Sequence, residues 1–157
     1  MKTYIGIDNG VSGTIAIISE TEVEFWKTPI KKEQDYTKAK KIVSRVDIQT
    51  LKGILEPYSD NAFLLLERPL VNPSRWVATT SALRCHEAEL AVIEILNIPY
   101  QFIDSKEWQK DLLPKRCGDT KKASLDIGNR LFPQYKDFKH PDRDALLIAE
   151  YAKRKGF

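Results

Sequence analysis

Three acidic side chains stand at the ends of segments whose sequences are typical of a protein core. Asp8 and Glu67 each close an apolar, strand-like stretch, and Asp144 directly precedes the apolar run at 145–149. A lone carboxylate is expensive to bury beside such sequence. If the strands that end at Asp8 and Glu67 are neighbours, their carboxylates repel each other unless they share a cation. Carboxylate oxygens suit Mg²⁺ or Mn²⁺, so the pattern favours a metal site.

Each acid also has a purely structural interpretation. Asp8, before Asn9-Gly10, could be a turn residue, and Glu67 could pair with Arg68 or another cation. Asp142 or Asp144 could serve the N-terminus of the helix that follows, by capping and through the helix dipole. Taken together, in this order and at the ends of these elements, the acids favour the metal-site interpretation.

The two histidines differ in their sequence surroundings. His140 precedes the last helix and is open to three interpretations: a surface residue, a metal ligand, or a proton-transfer group, since its unperturbed pKa lies near neutrality. His86 lies inside the long central helical pattern, beside Glu87, and is interpreted as structural.

Five strands are predicted to position these residues. Short turn signals separate three β-branched stretches, which predicts consecutive antiparallel strands. A continuous apolar run that ends at Glu67 is typical of a strand buried on both faces. The predicted strands lie at residues 3–8, 13–19, 22–27, 62–67 and 100–103.

Helices and loops occupy the rest of the chain. The lysine-rich segment 28–41 has few apolar residues and is predicted to be a loop. Apolar residues then recur at helical spacing, and Pro or Gly residues mark where each pattern stops. The predicted helices lie at residues 43–55, 76–96, 105–113, 119–131 and from 141 or 142 onward.

Length and composition limit the classes of protein to which this chain can belong. The 157 residues, 42% of them hydrophobic, predict one α/β domain spanning 1–157, with a five-stranded mixed sheet covered by helices. No apolar run is long enough to span a bilayer, and the start of the chain runs straight into a strand without a secretory signal. Cys85 and Cys117 form neither a disulfide framework nor a metal-binding spacing. We therefore expect a cytoplasmic protein with no membrane partner.

The positive charge is clustered along the chain. The net charge is only +3, but seven Lys or Arg residues lie between Lys27 and Arg45, against two acids. Six lie between Ser105 and Lys122, against three acids. Such clusters suit a polyanion, because each phosphate that is neutralised releases bound counterions. They are equally compatible with solvated faces of helices and loops.

The ordered set of motifs resembles the RuvC-like Holliday junction resolvases, which have an RNase H-like fold, and in particular the short bacteriophage versions. The resemblance covers nearly the whole chain. It rests on the sequences around Asp8, Glu67 and Asp144, on the strand Tyr100–Ile103 with the lysine segment after it, and on the segment 119–123. It implies a three-plus-two arrangement of antiparallel and parallel strands.

The resemblance implies a catalytic site with two Mg²⁺ ions, for which Mn²⁺ substitutes. Asp8, Glu67 and Asp144 match the family's metal ligands. Its remaining ligand falls three residues before the last acid, where this chain has a proline. His140 is our preferred fourth ligand and Asp142 is the alternative, and His140 is also expected to be catalytic.

The resemblance also implies a DNA interface and a homodimer that nicks opposing strands of branched DNA. Lys106 and either Lys121 or Lys122 match basic residues near the scissile phosphate, so Lys106 and Lys121 are expected to be catalytic, by neutralising developing charge or holding the backbone in place. Lys110, Lys115 and Arg116 extend this basic region. The loop from Arg68 to Trp76 matches a region that enters the junction centre. There Leu70 or Trp76 could wedge against a base step, while Asn72 and Arg75 would contact the DNA. Otherwise this is an ordinary loop with Trp76 packed on the core.

Small residues on the predicted helix 76–96 bear on the dimer. Ala78, Ala82, Cys85 and Ala88 recur along one side, which suits close packing against a second copy or against the chain's own sheet.

Three other functions remain open at this point. The sequence from Gly6 to Ala16 is similar to the first phosphate loop of actin-like or sugar-kinase ATP-binding proteins. Those proteins need a second lobe and a second glycine-rich loop, so no nucleotide cofactor is expected. A nuclease acting on RNA or RNA–DNA hybrids would keep the fold but change the substrate. A catalytically idle DNA-binding protein would gain nothing from the acids.

Overall fold

Seven β-strands and five α-helices form the part of the chain that the computed structural model describes, residues 2–157. In chain order they are β1 (Thr3–Asp8), β2 (Thr14–Ile18), β3 (Val23–Lys27), β4 (Ile30–Gln34), β5 (Ile42–Val46), α1 (Ile48–Leu55), β6 (Ala62–Glu67), α2 (Trp76–Ile95), β7 (Tyr100–Ile103), α3 (Ser105–Leu112), α4 (Thr120–Leu131) and α5 (Asp144–Lys155).

The central sheet has five strands in the order β3-β2-β1-β6-β7. β1 pairs antiparallel with β2, and β2 pairs antiparallel with β3. β6 lies parallel to β1 on the other side, and β7 lies parallel to β6. The predicted mixed sheet, with three antiparallel strands followed by two parallel ones, is confirmed.

The predicted loop at 28–41 and the predicted helix start at 43 are wrong. β4 and β5 instead form a separate antiparallel hairpin, in which Ile30 pairs with Val46 and Gln34 pairs with Ile42. The helix begins at Ile48, after Asp47 accepts a hydrogen bond from the backbone N–H of Thr50. Val46, which had suited the helical spacing, is a buried strand residue. The hairpin makes Ala62–Glu67 the sixth strand along the chain.

Helices cover both faces of the sheet. Alternate residues of β1, such as Ile5 and Ile7, pack with α1 and α2. The opposite face packs against α3, α4 and α5, where Trp108 and Leu147 are fully buried. No helix among residues 2–157 combines the length and the apolar character needed to cross a membrane.

The last helix crosses the centre of the sheet at very short range. Gly6 of β1 has no side chain, and a Cβ at that position would lie 2.4 Å from the carbonyl oxygen of Ala145 and 2.6 Å from the nitrogen of Ala149. α5 begins at Asp144, two or three residues later than predicted. This close contact brings the start of α5 to the carboxyl end of β1.

Candidate active site

Asp8 and Glu67 lie side by side at one end of the sheet. β1 and β6 are parallel neighbours, and Ile7 pairs with Leu66 one residue earlier. Glu67 contributes to the raised pKa of Asp8, as expected for neighbouring carboxyl groups. The expectation that these acids meet at adjacent strand ends is confirmed, and the alternative pairing of Glu67 with Arg68 is not seen. Arg68 instead forms an ion pair with Asp104, with Nε 3.2 Å from Oδ1.

Asp142 and Asp144 complete a cluster of acids beside Asp8. One carboxylate oxygen from each of Asp8, Asp142 and Asp144 lies within 4.8 Å of the other two. Asp142 is buried, and it also accepts a hydrogen bond from the backbone N–H of Asp144. Asp142 therefore stabilises the start of α5, as the structural interpretation required, while it also belongs to the cluster.

The shared surroundings raise the pKa of two of these acids. Burial raises the pKa of Asp8 well above its ordinary value, and Glu67, Asp144 and Asp142 raise it further. Burial also raises the pKa of Asp144 to about 7, with a further contribution from Asp142. A cation bound between these groups would remove the repulsion, and a donor set made only of carboxylate oxygens fits Mg²⁺ or Mn²⁺.

His140 lies next to the cluster but turns both ring nitrogens toward the protein. Its Nε2 lies 2.8 Å from the carbonyl oxygen of Ser12, to which it can only donate. Nδ1 is then the acceptor, and the backbone N–H of Asp142 donates to it at 3.4 Å. In this arrangement His140 holds the backbone at Asp142 and so orients that residue. The geometry favours Asp142 over the preferred His140 as the fourth ligand.

Buried donors hold the acids in place. Trp108, which is fully buried, donates from Nε1 to Glu67 Oε1 at 3.3 Å. The hydroxyl group of Ser124 on α4 donates to Asp144 and accepts from the backbone N–H of Arg143. These contacts fix the rotamers of two candidate ligands.

Arg143 anchors the segment that leads into α5. It is 1% exposed, and its guanidinium donates to Asn129 Oδ1 and to the carbonyl oxygens of Tyr135, Phe138, His140 and Asp142. Arg143, Trp108 and Ser124 were not among the site residues predicted from the sequence. Only the position of Arg143, between two candidate ligands, could have drawn attention to it.

A cleft of about 800 Å³ opens above the acids. Some of the predicted DNA-binding lysines line this cleft and the others lie outside it. Lys121 lines this cleft beside Asp144 and lowers the pKa of that acid. Lys122, one residue further along α4, is exposed and does not line it. Four other predicted cations line a separate, smaller groove between α3 and α4: Lys106, Lys110, Lys115 and Arg116.

The loop after β6 presents its apolar side chains to solvent. Leu70 is 78% exposed and Trp76 is 70% exposed, so the alternative in which Trp76 packs on the core is wrong. Asn72 caps a short turn by accepting from the backbone N–H of Ser74, and Arg75 is exposed. The structure leaves Leu70, Arg75 and Trp76 free to contact a ligand.

The small residues of α2 do not form one outer stripe. Ala78 and Ala82 line the cleft, Cys85 is buried, and Ala88 packs against the core. They explain how α2 approaches the site, and they give no support to a dimer. His86 is buried and packs against Phe102, in agreement with its structural interpretation.

The sheet order and the helices on both faces define an RNase H-like fold of the RuvC type. No protein-family model matches the chain, and no curated protein matches its sequence.

Solved structures match it in fold. Thermus thermophilus RuvC in complex with a Holliday junction substrate has a TM-score of 0.58 at 12% identity, covering 99% of this chain and 97% of that chain. A second Thermus thermophilus RuvC structure has a TM-score of 0.50 at 13% identity, covering 98% and 96% respectively.

Proposed function

We propose that this protein is a structure-selective DNA endonuclease that resolves Holliday junctions and other branched DNA. The observation on which the proposal rests is the cluster of Asp8, Asp142 and Asp144, with Glu67 beside it, at the ends of β1, β6 and α5 in a RuvC-like fold. Acids gathered in an open cleft next to a lysine suit phosphodiester hydrolysis better than simple DNA binding, because uncompensated carboxylates repel phosphate.

The acids would hold two Mg²⁺ ions, or Mn²⁺ in their place. Asp8, Glu67, Asp142 and Asp144 are the proposed ligands, and His140 is the proposed group that orients Asp142 through the backbone N–H of that residue. When bound, such a pair of ions activates water and stabilises the leaving oxygen of an in-line displacement. Hydrolysis would leave a 5′-phosphate and a 3′-hydroxyl group at the branch.

The cations around the cleft would hold the DNA backbone. Lys121 lies nearest the acids and is proposed to contact the scissile phosphate. Lys106, Lys110, Lys115 and Arg116 form a groove that would follow the backbone away from the cleft, and Lys122 would extend it. In this proposal Lys121 takes part in catalysis, and the other lysines position the DNA.

The exposed loop after β6 would contact the centre of the junction. Leu70 and Trp76 project into solvent, and apolar side chains of this kind can insert between unstacked bases. Arg68 and Arg75 would contact phosphates, and Asn72 holds the turn between them. Because the bases at a branch are already partly unstacked, insertion there costs less than in a linear duplex.

A homodimer would place two such sites on opposing strands of a symmetric junction. Thermus thermophilus RuvC has been captured in complex with a Holliday junction substrate. By analogy, DNA recombination or repair, in a bacterial or phage-infected cytoplasm, is the proposed setting.

The test uses a labelled, immobile four-way junction beside a linear duplex of matched sequence. Wild-type protein and Asp8→Asn are incubated with each substrate, in Mg²⁺ and in EDTA. We expect paired nicks at the branch with wild type in Mg²⁺ only. Asp8→Asn should bind the junction without cutting it, because the change removes a ligand and leaves every DNA-binding cation in place.

Two other outcomes would change the conclusion. Cleavage of an RNA–DNA hybrid with the junction left intact would support the metal site but change the proposed substrate from branched DNA to the hybrid. No cleavage of any nucleic acid, together with ATP binding, would overturn the nuclease proposal and favour the phosphate-loop interpretation.

A further inference from the structure

The hairpin formed by β4 and β5 is an ordered arm outside the central sheet. Its strands pair from Ile30 and Val46 at the base to Gln34 and Ile42 near the tip. The tip is closed by a hydrogen bond from the backbone N–H of Asp35 to the carbonyl oxygen of Lys41. Thr37 also donates to the Asp35 side chain from both its backbone and its hydroxyl group. The segment is therefore a defined structural element.

The charge of this arm exceeds that of the whole protein. Residues 31–45 contain six Lys or Arg against two acids, a net charge of +4 compared with +3 for the chain. Glu33 pairs with Lys31 at 2.8 Å and with Arg45 at 2.7 Å. No carboxylate within residues 2–157 lies in ion-pair range of the other four cations, which are all exposed: Lys32, Lys38, Lys40 and Lys41.

The arm stands directly beside the proposed active site. Thr28 and Ile30, at its base, line the same cleft as Asp8 and Asp144. Val46 is buried in the core and anchors the base of the hairpin. Phosphates of a DNA arm that leaves the cleft on this side would come next to the unpaired lysines.

The tip of the hairpin also carries an exposed aromatic side chain, which is compatible with contact to DNA. Tyr36 is 90% exposed, although tyrosine is intermediate in how often it is buried. Between the tip and α2, a cavity is lined by Tyr36 and Arg45 on one side and by Leu83 and Arg84 on the other. Its cationic rim adds Arg84 to the positive surface.

We infer that the β4–β5 hairpin is a second DNA-binding element, which contacts the sugar–phosphate backbone of a duplex arm outside the cleft. The inference rests on the proposed function for the choice of DNA as the polyanion. The exposed lysines of β4 and of the turn between the strands offer point charges without a fixed hydrogen-bond geometry. Contacts of this kind neutralise phosphates and do not read sequence.

The test compares two triple variants that each lose three positive charges. Lys32→Gln/Lys38→Gln/Lys41→Gln changes the hairpin, and Arg130→Gln/Lys136→Gln/Lys153→Gln is the control, because those three exposed cations lie outside the cleft and the arm. Dissociation constants are measured in EDTA for a four-way junction and for a linear duplex, over a series of salt concentrations.

We expect the hairpin variant to bind both DNAs about tenfold more weakly, with a salt slope reduced by about 2 to 3, since each lost phosphate contact removes about 0.9. The control variant should stay within about twofold of wild type and keep its slope. Replacing the same three hairpin lysines with Arg should restore both affinity and slope. The hairpin variant should also unfold at the wild-type temperature, because all three side chains are exposed.

Two results would overturn the inference. One is equal binding by the hairpin and control variants, and the other is weakened junction binding with an unchanged duplex, which would place the hairpin at the branch. The failure of this inference can be told apart from the failure of the proposed function. If the wild type cuts junctions and the hairpin variant binds DNA normally, only the role of the hairpin in DNA binding is refuted. If DNA binding depends on the hairpin but no nucleic acid is cut, only the nuclease function is refuted.

Discussion

Asp142 and His140 have different roles in the site, although the sequence left the fourth metal ligand open between them. Asp142 offers a carboxylate oxygen to the acidic cluster, whereas His140 donates from Nε2 to the Ser12 carbonyl oxygen and accepts at Nδ1 from the backbone N–H of Asp142. We expect Asp142→Asn to abolish cleavage. His140→Gln should raise the Mg²⁺ concentration for half-maximal cleavage by about 10- to 100-fold, as is usual when a group that orients a ligand is lost.

The measurement is a Mg²⁺ titration of junction cleavage with each variant. Full loss of cleavage in His140→Gln at saturating Mg²⁺, with activity retained in Asp142→Asn, would reverse the assignment and make the histidine the ligand.

Asp8 is expected to destabilise the metal-free protein. Its raised pKa means that the neutral form favours folding at low pH, and this contribution is lost as the pH rises through the folded-state pKa. In EDTA at neutral pH, Asp8→Asn should be more stable than the wild type and unfold at a higher temperature, because the amide is neutral at every pH and has no charge to bury. Mg²⁺ should then stabilise the wild type more than the variant.

Thermal unfolding with and without Mg²⁺ tests this expectation, with the exposed Asp126→Asn as control. A lower Tm for Asp8→Asn in EDTA would mean that the carboxylate is already compensated by the protein itself.

The acids of the site could be predicted from the sequence, while the residues that hold them could not. Asp8 and Glu67 each end an apolar stretch, and that local pattern is visible without a structure. Trp108 contacts Glu67 across 41 positions, and Ser124 contacts Asp144 across 20. No local pattern marks these pairs, because they meet only after α3 and α4 have packed against the sheet.

At the scale of elements, the contact between β1 and α5 determines where the acids meet. A methyl group on Gly6 would overlap the backbone of α5 at Ala145 and Ala149, and backbone atoms cannot turn aside as a side chain can. We expect Gly6→Ala to destabilise the fold by about 2 to 3 kcal/mol and to weaken the response to Mg²⁺, because α5 carries Asp144.

Gly53→Ala provides a matched control for this substitution. Gly53 lies within α1 and a Cβ there meets nothing within 4 Å, so the change should stabilise the protein by up to about 1 kcal/mol. Urea unfolding of both variants measures the difference. Equal stabilities would show that α5 can shift without cost.

Prediction failed at the β4–β5 hairpin for a physical reason. A strand is recognised by apolar residues that recur on the face it buries, and β4 buries none of its five residues. Only Val46 of β5 is buried, so pairing between the two strands, rather than a core, defines the hairpin. The buried strands of the central sheet, in contrast, were each placed to within about a residue.

At the scale of the whole molecule, one acid lies in the core that supports the site. Glu89 on α2 is fully buried, accepts a hydrogen bond from the Cys85 thiol, and leaves its second carboxylate oxygen without a partner. Burial raises the pKa of Glu89 to about 8. The protein is therefore expected to fold with this carboxyl group largely protonated at neutral pH.

The stability of the protein should depend on pH through Glu89. The unfolded chain releases this proton near pH 4.5 and the folded protein releases it near 8, so stability falls as the pH rises between these values. Glu89→Gln has no proton to release, so its stability does not fall over this pH range. The variant should be more stable than wild type by up to about 3 kcal/mol at pH 7. Urea unfolding at intervals from pH 5 to 9 measures the gap, with the exposed Glu87→Gln as control. A gap that widens up to about pH 8 and then stays constant is expected, whereas parallel curves would mean that Glu89 is ionised and compensated inside the core.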